Sequence, residues 1–248
     1  MMRAMKNFHI SCGLFLFLIL ASMWCGTARA NQAALLSEIL KKTEANYQKI
    51  QAFTANFHQS TTSSAASTMT TTQASGKLFY EKPRQMRWEY EKPEPQVFVA
   101  NRDLAWLYVP ADKQISLFDA KTLFASPLAQ TFFDGMVELK KHFQVSLDPK
   151  QSSKATAVLR LVPKQEDPNI KALFLRIDLQ TYKIITIESH DALGNANRIM
   201  LDSQNSVPQL DRKLFELDTP PGVTATDMDG RELSPAEIDN LKQKLQSK

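Results

Sequence analysis

The segment Lys82-Pro83-Arg84-Gln85-Met86-Arg87-Trp88-Glu89-Tyr90-Glu91-Lys92-Pro93 alternates apolar and charged residues between two lysine-proline pairs. Side chains along a strand alternate between faces with a period of two. Met86, Trp88 and Tyr90 therefore share one face, and Gln85, Arg87 and Glu89 the other. The apolar trio is expected to look inward and Arg87 to stay in water, paired with neighbouring acids. Lys82 has the parity of Met86, which points it at the mouth of the apolar interior if Pro83 leaves the count intact.

Short strand-like runs continue on both sides of this segment, at residues 76–81, 96–100, 104–109 and 114–118. Turn chemistry separates them: Lys82-Pro83, Pro93-Glu94-Pro95, Asn101-Arg102-Asp103 and Pro110-Ala111-Asp112-Lys113. Such regular punctuation predicts an antiparallel meander that forms a sheet or barrel. Residues 96–100 and 104–109 are apolar on both parities, so both faces are covered. Phe98, Trp106 and Tyr108 join Met86, Trp88 and Tyr90 as the aromatic and apolar wall of an interior. A solid core and a ligand-sized cavity both fit that wall.

Further out, residues 31–50 carry Leu35, Leu36, Ile39, Leu40, Tyr47 and Ile50 on one helical stripe. Phe53, Ala55 and Phe57 then alternate as a strand. Residues 60–75 are rich in Ser and Thr and free of charge, which suits a long exposed hairpin or a mobile loop. After Thr122 the period of two is lost, and Phe124, Leu128, Phe132, Phe133, Met136 and Leu139 cluster in one or two short helices. Strands resume at 143–147, 156–162, 172–178, 184–189, 199–203 and 213–217, with a Gly194 hairpin loop at 190–195. The total is about eleven strands. Ser234-Pro235-Ala236-Glu237 is a capping box, and Ile238, Leu241 and Leu245 form a narrow stripe after it. A short helix docked on the body is the favoured reading there, with a partner-binding helix as the other.

The first thirty residues have the layout of a secretory signal: Arg3 and Lys6, an apolar run over 13–23, and small residues at Ala28 and Ala30. Cleavage is expected after Ala30, and the apolar run is too short to span a membrane. Both cysteines, Cys12 and Cys25, leave with the signal, so the mature chain has no disulfide. Trp24 directly before Cys25 argues against lipidation of that cysteine. Removing Arg3, Lys6 and Arg29 leaves 30 − 3 = 27 cations against 26 anions, a net of +1. Nucleic-acid binding has no electrostatic support at that charge. The division expected is a signal at 1–30, a β domain at 31–230 and a helical extension at 231–248.

Catalytic chemistry has no footing in the pattern. His58, His142 and His190 are far apart and form no local zinc pair. No nucleophile elbow, phosphate loop or dinucleotide fingerprint occurs, and no cofactor, metal or catalytic residue is expected.

The ordered set Gly76-x-Leu78, Lys82-Pro83-x-x-Met86-Arg87-Trp88-x-Tyr90-x-x-Pro93, Leu104-x-Trp106-x-Tyr108-x-Pro110, Asp191-x-x-Gly194-Asn195 and Phe215-x-Leu217-x-x-Pro220-Pro221-Gly222-Val223 resembles the LolA family of periplasmic outer-membrane lipoprotein carriers. The resemblance implies an unclosed antiparallel β-barrel with a helical lid over an apolar cavity for acyl chains. It implies acylated lipoproteins as cargo, an inner-membrane ABC transporter that releases them, an outer-membrane receptor, and a monomeric carrier. Lys82 stands where the family has an arginine that bonds the lid, and Phe124, Leu128, Phe132, Phe133 and Met136 would belong to that lid. Lysine lacks the planar fork of arginine, so the latch is expected to be looser. The alternatives are a carrier of another lipid such as a glycolipid, a lipoprotein-sensing protein, and an outer-membrane receptor anchored at Cys25. A hydrolase is a distant fourth.

Overall fold

The computed structural model describes residues 12–65, 68–102, 104–125, 136–167 and 169–246. The chain is mainly β, with twelve strands in one sheet. They are β1 (Ala52–Ala65), β2 (Thr68–Glu81), β3 (Gln85–Lys92), β4 (Gln96–Asn101), β5 (Leu104–Val109), β6 (Gln114–Asp119), β7 (Phe143–Leu147), β8 (Thr156–Pro163), β9 (Ala172–Asp178), β10 (Ile184–His190), β11 (Ala196–Val207) and β12 (Thr224–Thr226). Their order is β12-β6-β5-β4-β3-β2-β1-β11-β10-β9-β8-β7. Every pair is antiparallel except β12 on β6. The end strands do not meet, so the barrel is unclosed. The described helices are α1 (Cys12–Lys49), α2 (Ala120–Ala125), α3 (Met136–His142) and α4 (Pro235–Gln246). No described helix is long and apolar enough to cross a membrane.

The uncharged segment at 60–75 is a hairpin: β1 and β2 pair from Ala52↔Glu81 to Ala65↔Thr68. Gly76 lets this hairpin pass close to β3. A Cβ there would lie 1.8 Å from the Glu89 carbonyl oxygen, so only glycine fits. The turn at Gly194 has φ 89°, as its sequence context requires. The capping box forms as expected, with the Ser234 N–H donating to Glu237 Oε2 at 2.9 Å.

As described from Cys12, α1 runs from the expected leader through the amphipathic stripe to Lys49. Two expectations are corrected. Residues Arg212–Phe215 form a 3₁₀ turn instead of a strand, since the Asp211 side chain accepts from the Lys213 N–H and caps it. The described residues hold twelve strands, in line with the expected count of about eleven; the three-residue β12 is too short to show a period. Arg87 faces outward but lies under the 3₁₀ turn, with Nη1 donating to the Leu214 carbonyl at 3.1 Å and Nε to Glu89 at 2.6 Å.

The two halves of the sheet are covered from opposite sides. Over β7–β10, α1 lies on the inner face. Ile39 and Leu40 pack there with Leu139, Phe143, Leu159, Leu161, Leu173 and Ile177, all buried. Over β4–β6, the cover is on the outer face. Val99, Trp106, Ile115 and Leu117 are buried there against Phe215, Leu217 and Leu233, with Ile238 and Leu241 of α4 packed on top. The C-terminal helix is thus docked.

Candidate functional site

The inner face of β1–β5 and β11 is apolar, and part of its side-chain surface is exposed. Phe53, Ala55 and Phe57 of β1, Leu78 and Tyr80 of β2, Ala100 of β4, Ala105 of β5 and Leu201 of β11 form its buried floor. Met86, Trp88, Tyr90, Phe98 and Ile199 pack on this floor while keeping part of their surface free. The register explains the grouping: Leu78 pairs with Trp88, Trp88 with Phe98, and Phe98 with Leu107. Phe57 holds the aromatic floor together, with its ring centroid 4.9 Å from those of both Trp88 and Tyr90 in edge-to-face contact. The Trp88 indole N–H points to Met86 Sδ at 3.2 Å. Burial raises the pKa of the Tyr90 hydroxyl, which stays protonated and donates to Gln59 Oε1 at 3.0 Å.

Met86, Trp88, Tyr90 and Phe98 therefore share one surface, as their parity requires. Trp106 and Tyr108 do not. Val99 pairs with Trp106 and Val97 with Tyr108, which puts both rings on the outer face beneath the C-terminal segment. Leu107 takes the inner position instead, and Phe118, paired with Ala105, is an exposed ring of the same face. Both parities of β5 are apolar, so ring size was a poor guide. The length of the β4–β5 turn, which sets Asn101 against Leu104, carries the decisive signal. Phe53, Phe57, Leu107, Phe118 and Ile199 are the inner-face residues that the sequence reading left out of the wall.

Lys82 is not bonded to the segment after Thr122 among the described residues. Its Nζ donates to the Tyr47 carbonyl at 3.0 Å and the Gln48 carbonyl at 3.2 Å, in the last turn of α1. The Tyr47 carbonyl also accepts from the Ile50 N–H at 3.2 Å, and both carbonyls lie at the negative end of the helix dipole, so a cation belongs there. Partial desolvation lowers the Lys82 pKa. Arg84 is the residue that reaches α2, with its guanidinium carbon 5.7 Å from the centroid of the Phe124 ring. Phe124 is 3% exposed and lies in the inner-face cluster with Ala120. Leu128, Phe132 and Phe133 lie outside the described residues, as does the side chain of Met136. Among the described residues no three His, Cys, Asp or Glu side chains group as metal ligands. His58 pairs with Asp202 at 3.1 Å, and His190 with Glu188 at 2.6 Å.

The family model described as outer membrane lipoprotein carrier protein LolA matches residues 48–218, from the end of α1 through β11 and the 3₁₀ turn. The chain belongs to the LolA family. An outer-membrane lipoprotein carrier protein of Legionella pneumophila is 30% identical over 175 residues, covering 70% of this chain and 82% of its own length. One of Chromobacterium violaceum is 26% identical over 214 residues, covering 85% and 96%. Among solved structures, a conserved protein of Thermus thermophilus aligns with TM-score 0.48 and 13% identity over 77% of this chain and 98% of its own. A LolA superfamily protein of Nitrosomonas europaea aligns with TM-score 0.40 and 14% identity over 73% and 97%. The LolA match stops before β12 and α4, which complete the outer cover.

Proposed function

We propose that the mature protein is a periplasmic carrier that shelters the acyl chains of lipoproteins against the inner face of β1–β5 and β11. It would take cargo from an inner-membrane ABC transporter and hand it to a receptor at the outer membrane. One observation carries this reading. An apolar face that includes Trp88, Phe98 and Phe118 is left partly open, while the outer side of β4–β6 is sealed by the chain itself. Each methylene kept from water contributes about 0.8 kcal/mol, so a triacylated anchor needs such a shelter to cross an aqueous space. Release requires that nothing grip the chains, and an aliphatic and aromatic wall holds them by burial alone.

Phe124 fits the role of a plug. Its ring occupies part of the inner face, held near Arg84, and acyl chains entering would displace it. The segment from Phe124 through Leu128, Phe132, Phe133 and Met136 would then act as the lid. Lys82 would fix the end of α1 beside the cavity rather than latch that lid. Export rests on the leader at 1–30, and an N-terminus at Asn31 after purification would support it.

The test is extraction. Mature protein incubated with membrane vesicles carrying a labelled lipoprotein should bring that lipoprotein into solution, and a Met86→Glu variant should not, because a carboxylate among acyl chains is costly. Bound lipid without peptide would favour the glycolipid alternative. Protein that stays empty and extracts nothing would remove the carrier reading.

A further inference from the structure

Charge is sorted by face in this sheet. Among the described residues, the inner rows of β1–β11 carry no charged side chain. The outer rows of the same strands carry His58, Lys77, Arg87, Glu89, Arg176, Glu188, Arg198 and Asp202, mostly paired with one another. Lys92, past the register shift near Gly76, aligns with Ser75 of the outer row.

Where the apolar floor gives way to the hairpin, the inner row turns polar while staying neutral. Gln59 and Thr61 follow Phe57 on β1, and Asn197 pairs with Thr61 from β11. Their side chains form a directed relay with Tyr90. The Tyr90 hydroxyl donates to Gln59 Oε1 at 3.0 Å, and Gln59 Nε2 donates to Asn197 Oδ1 at 3.0 Å. Thr61 Oγ1 donates to the same Asn197 oxygen at 3.4 Å, and Gln59 Nε2 reaches Thr61 at 3.5 Å. Two donors converge on the Asn197 oxygen, which fixes the amide's orientation. Its NH₂ group is left without an acceptor among the described residues. All four side chains are half-buried. The relay therefore ends in an uncommitted neutral donor one residue pair from the aromatic floor.

We propose that Gln59, Thr61, Tyr90 and Asn197 form a subsite for the ester carbonyls at the head of an acylated cargo, with the Asn197 NH₂ as the presented donor. The subsite rests on the carrier reading and names the part of the cargo it recognises. Ester carbonyls are acceptors only, so a donor-terminated relay is their complement. A phosphodiester head meets no cation on the described inner strand rows and loses its hydration there without repayment. The subsite accordingly selects acyl chains joined to an uncharged linkage over anionic phospholipids.

The experiment compares three probes on purified mature protein: a synthetic triacylated lipopeptide, its ether analogue with methylenes in place of the two ester carbonyls, and phosphatidylglycerol of matched chain length. The lipopeptide should bind roughly fivefold tighter than the ether, the weight of one net hydrogen bond, and more tightly than phosphatidylglycerol. In Asn197→Ala the ester's Kd should rise to that of the ether. Equal Kd values for ester and ether on the wild-type protein overturn the subsite and leave the carrier reading standing, with no variant needed. Phosphatidylglycerol binding as well as the lipopeptide overturns the selectivity. Binding of none of the three overturns the carrier reading and the subsite with it.

Discussion

The two halves of the sheet use the same alternation to opposite ends. Over β7–β10 the inner face is filled by α1, and its leucines and isoleucines are sealed into a solid core. Over β1–β6 no described helix of that length lies across the inner face, where the short α2 places Ala120 and Phe124, and the chain's C-terminal segment covers the outside of β4–β6. A strand that is apolar on both faces, such as β5, is explained by the second arrangement: one face packs permanently, and the other is held ready. A carrier needs this division of labour. Stability comes from the half that is plugged and from the outer cover, so the other inner face can stay partly open without unfolding the sheet.

Substitutions in the two halves should separate stability from binding. Leu161→Ala, in the plugged half, removes a fully buried side chain. It should cost about 2–5 kcal/mol in urea unfolding and leave the affinity for acyl chains nearly unchanged. Trp88→Ala, in the open half, should cost less than Leu161→Ala, because its ring keeps part of its surface exposed in the folded state, yet weaken acyl binding at least tenfold. Equal losses of stability in both variants would mean the halves are not divided in this way. Lys82→Met should loosen the end of α1 by less than about 1 kcal/mol, read as faster amide exchange in the last turn of that helix. The smallest effect at neutral pH belongs to Tyr47, which ties α1 to the plugged half by accepting from the Ile184 N–H at 3.1 Å. Burial pushes its hydroxyl from 10.0 up to about 12. The folded state then holds that proton more tightly than the unfolded chain. Its contribution is constant below about pH 10 and is lost as pH rises toward 12. Tyr47→Phe should flatten stability over that window, and an unchanged slope would show that Tyr47 does not titrate with unfolding.

Much of this was legible from local pattern. The period of two put Met86, Trp88 and Tyr90 together. The turn residues punctuated the meander, and Ser234 and Glu237 marked the last helix. These features depend on neighbours a few positions apart. Three others depend on distant partners and were not legible. The face of Trp106 follows from strand register, and two apolar parities left it undecided. The partner of Lys82 is thirty-five residues earlier, at the end of α1. The 3₁₀ turn at Phe215 is capped locally by Asp211 but held by distant partners, with Phe215 buried on the outer face and its carbonyl accepting from Asn101 Nδ2 at 3.1 Å. Family resemblance supplied the open barrel, while among the described residues Lys82 bonds the end of α1.

The account turns on which surface receives acyl chains. A lipopeptide with a photoreactive group near the end of one acyl chain, cross-linked to the mature protein and mapped by mass spectrometry, addresses that surface directly. The label should fall on the inner face of the open half, at Trp88, Phe98, Leu107 or Phe118. Label confined to Trp106 and Tyr108 on the outer face, or to Leu159 and Leu173 beneath α1, would contradict it.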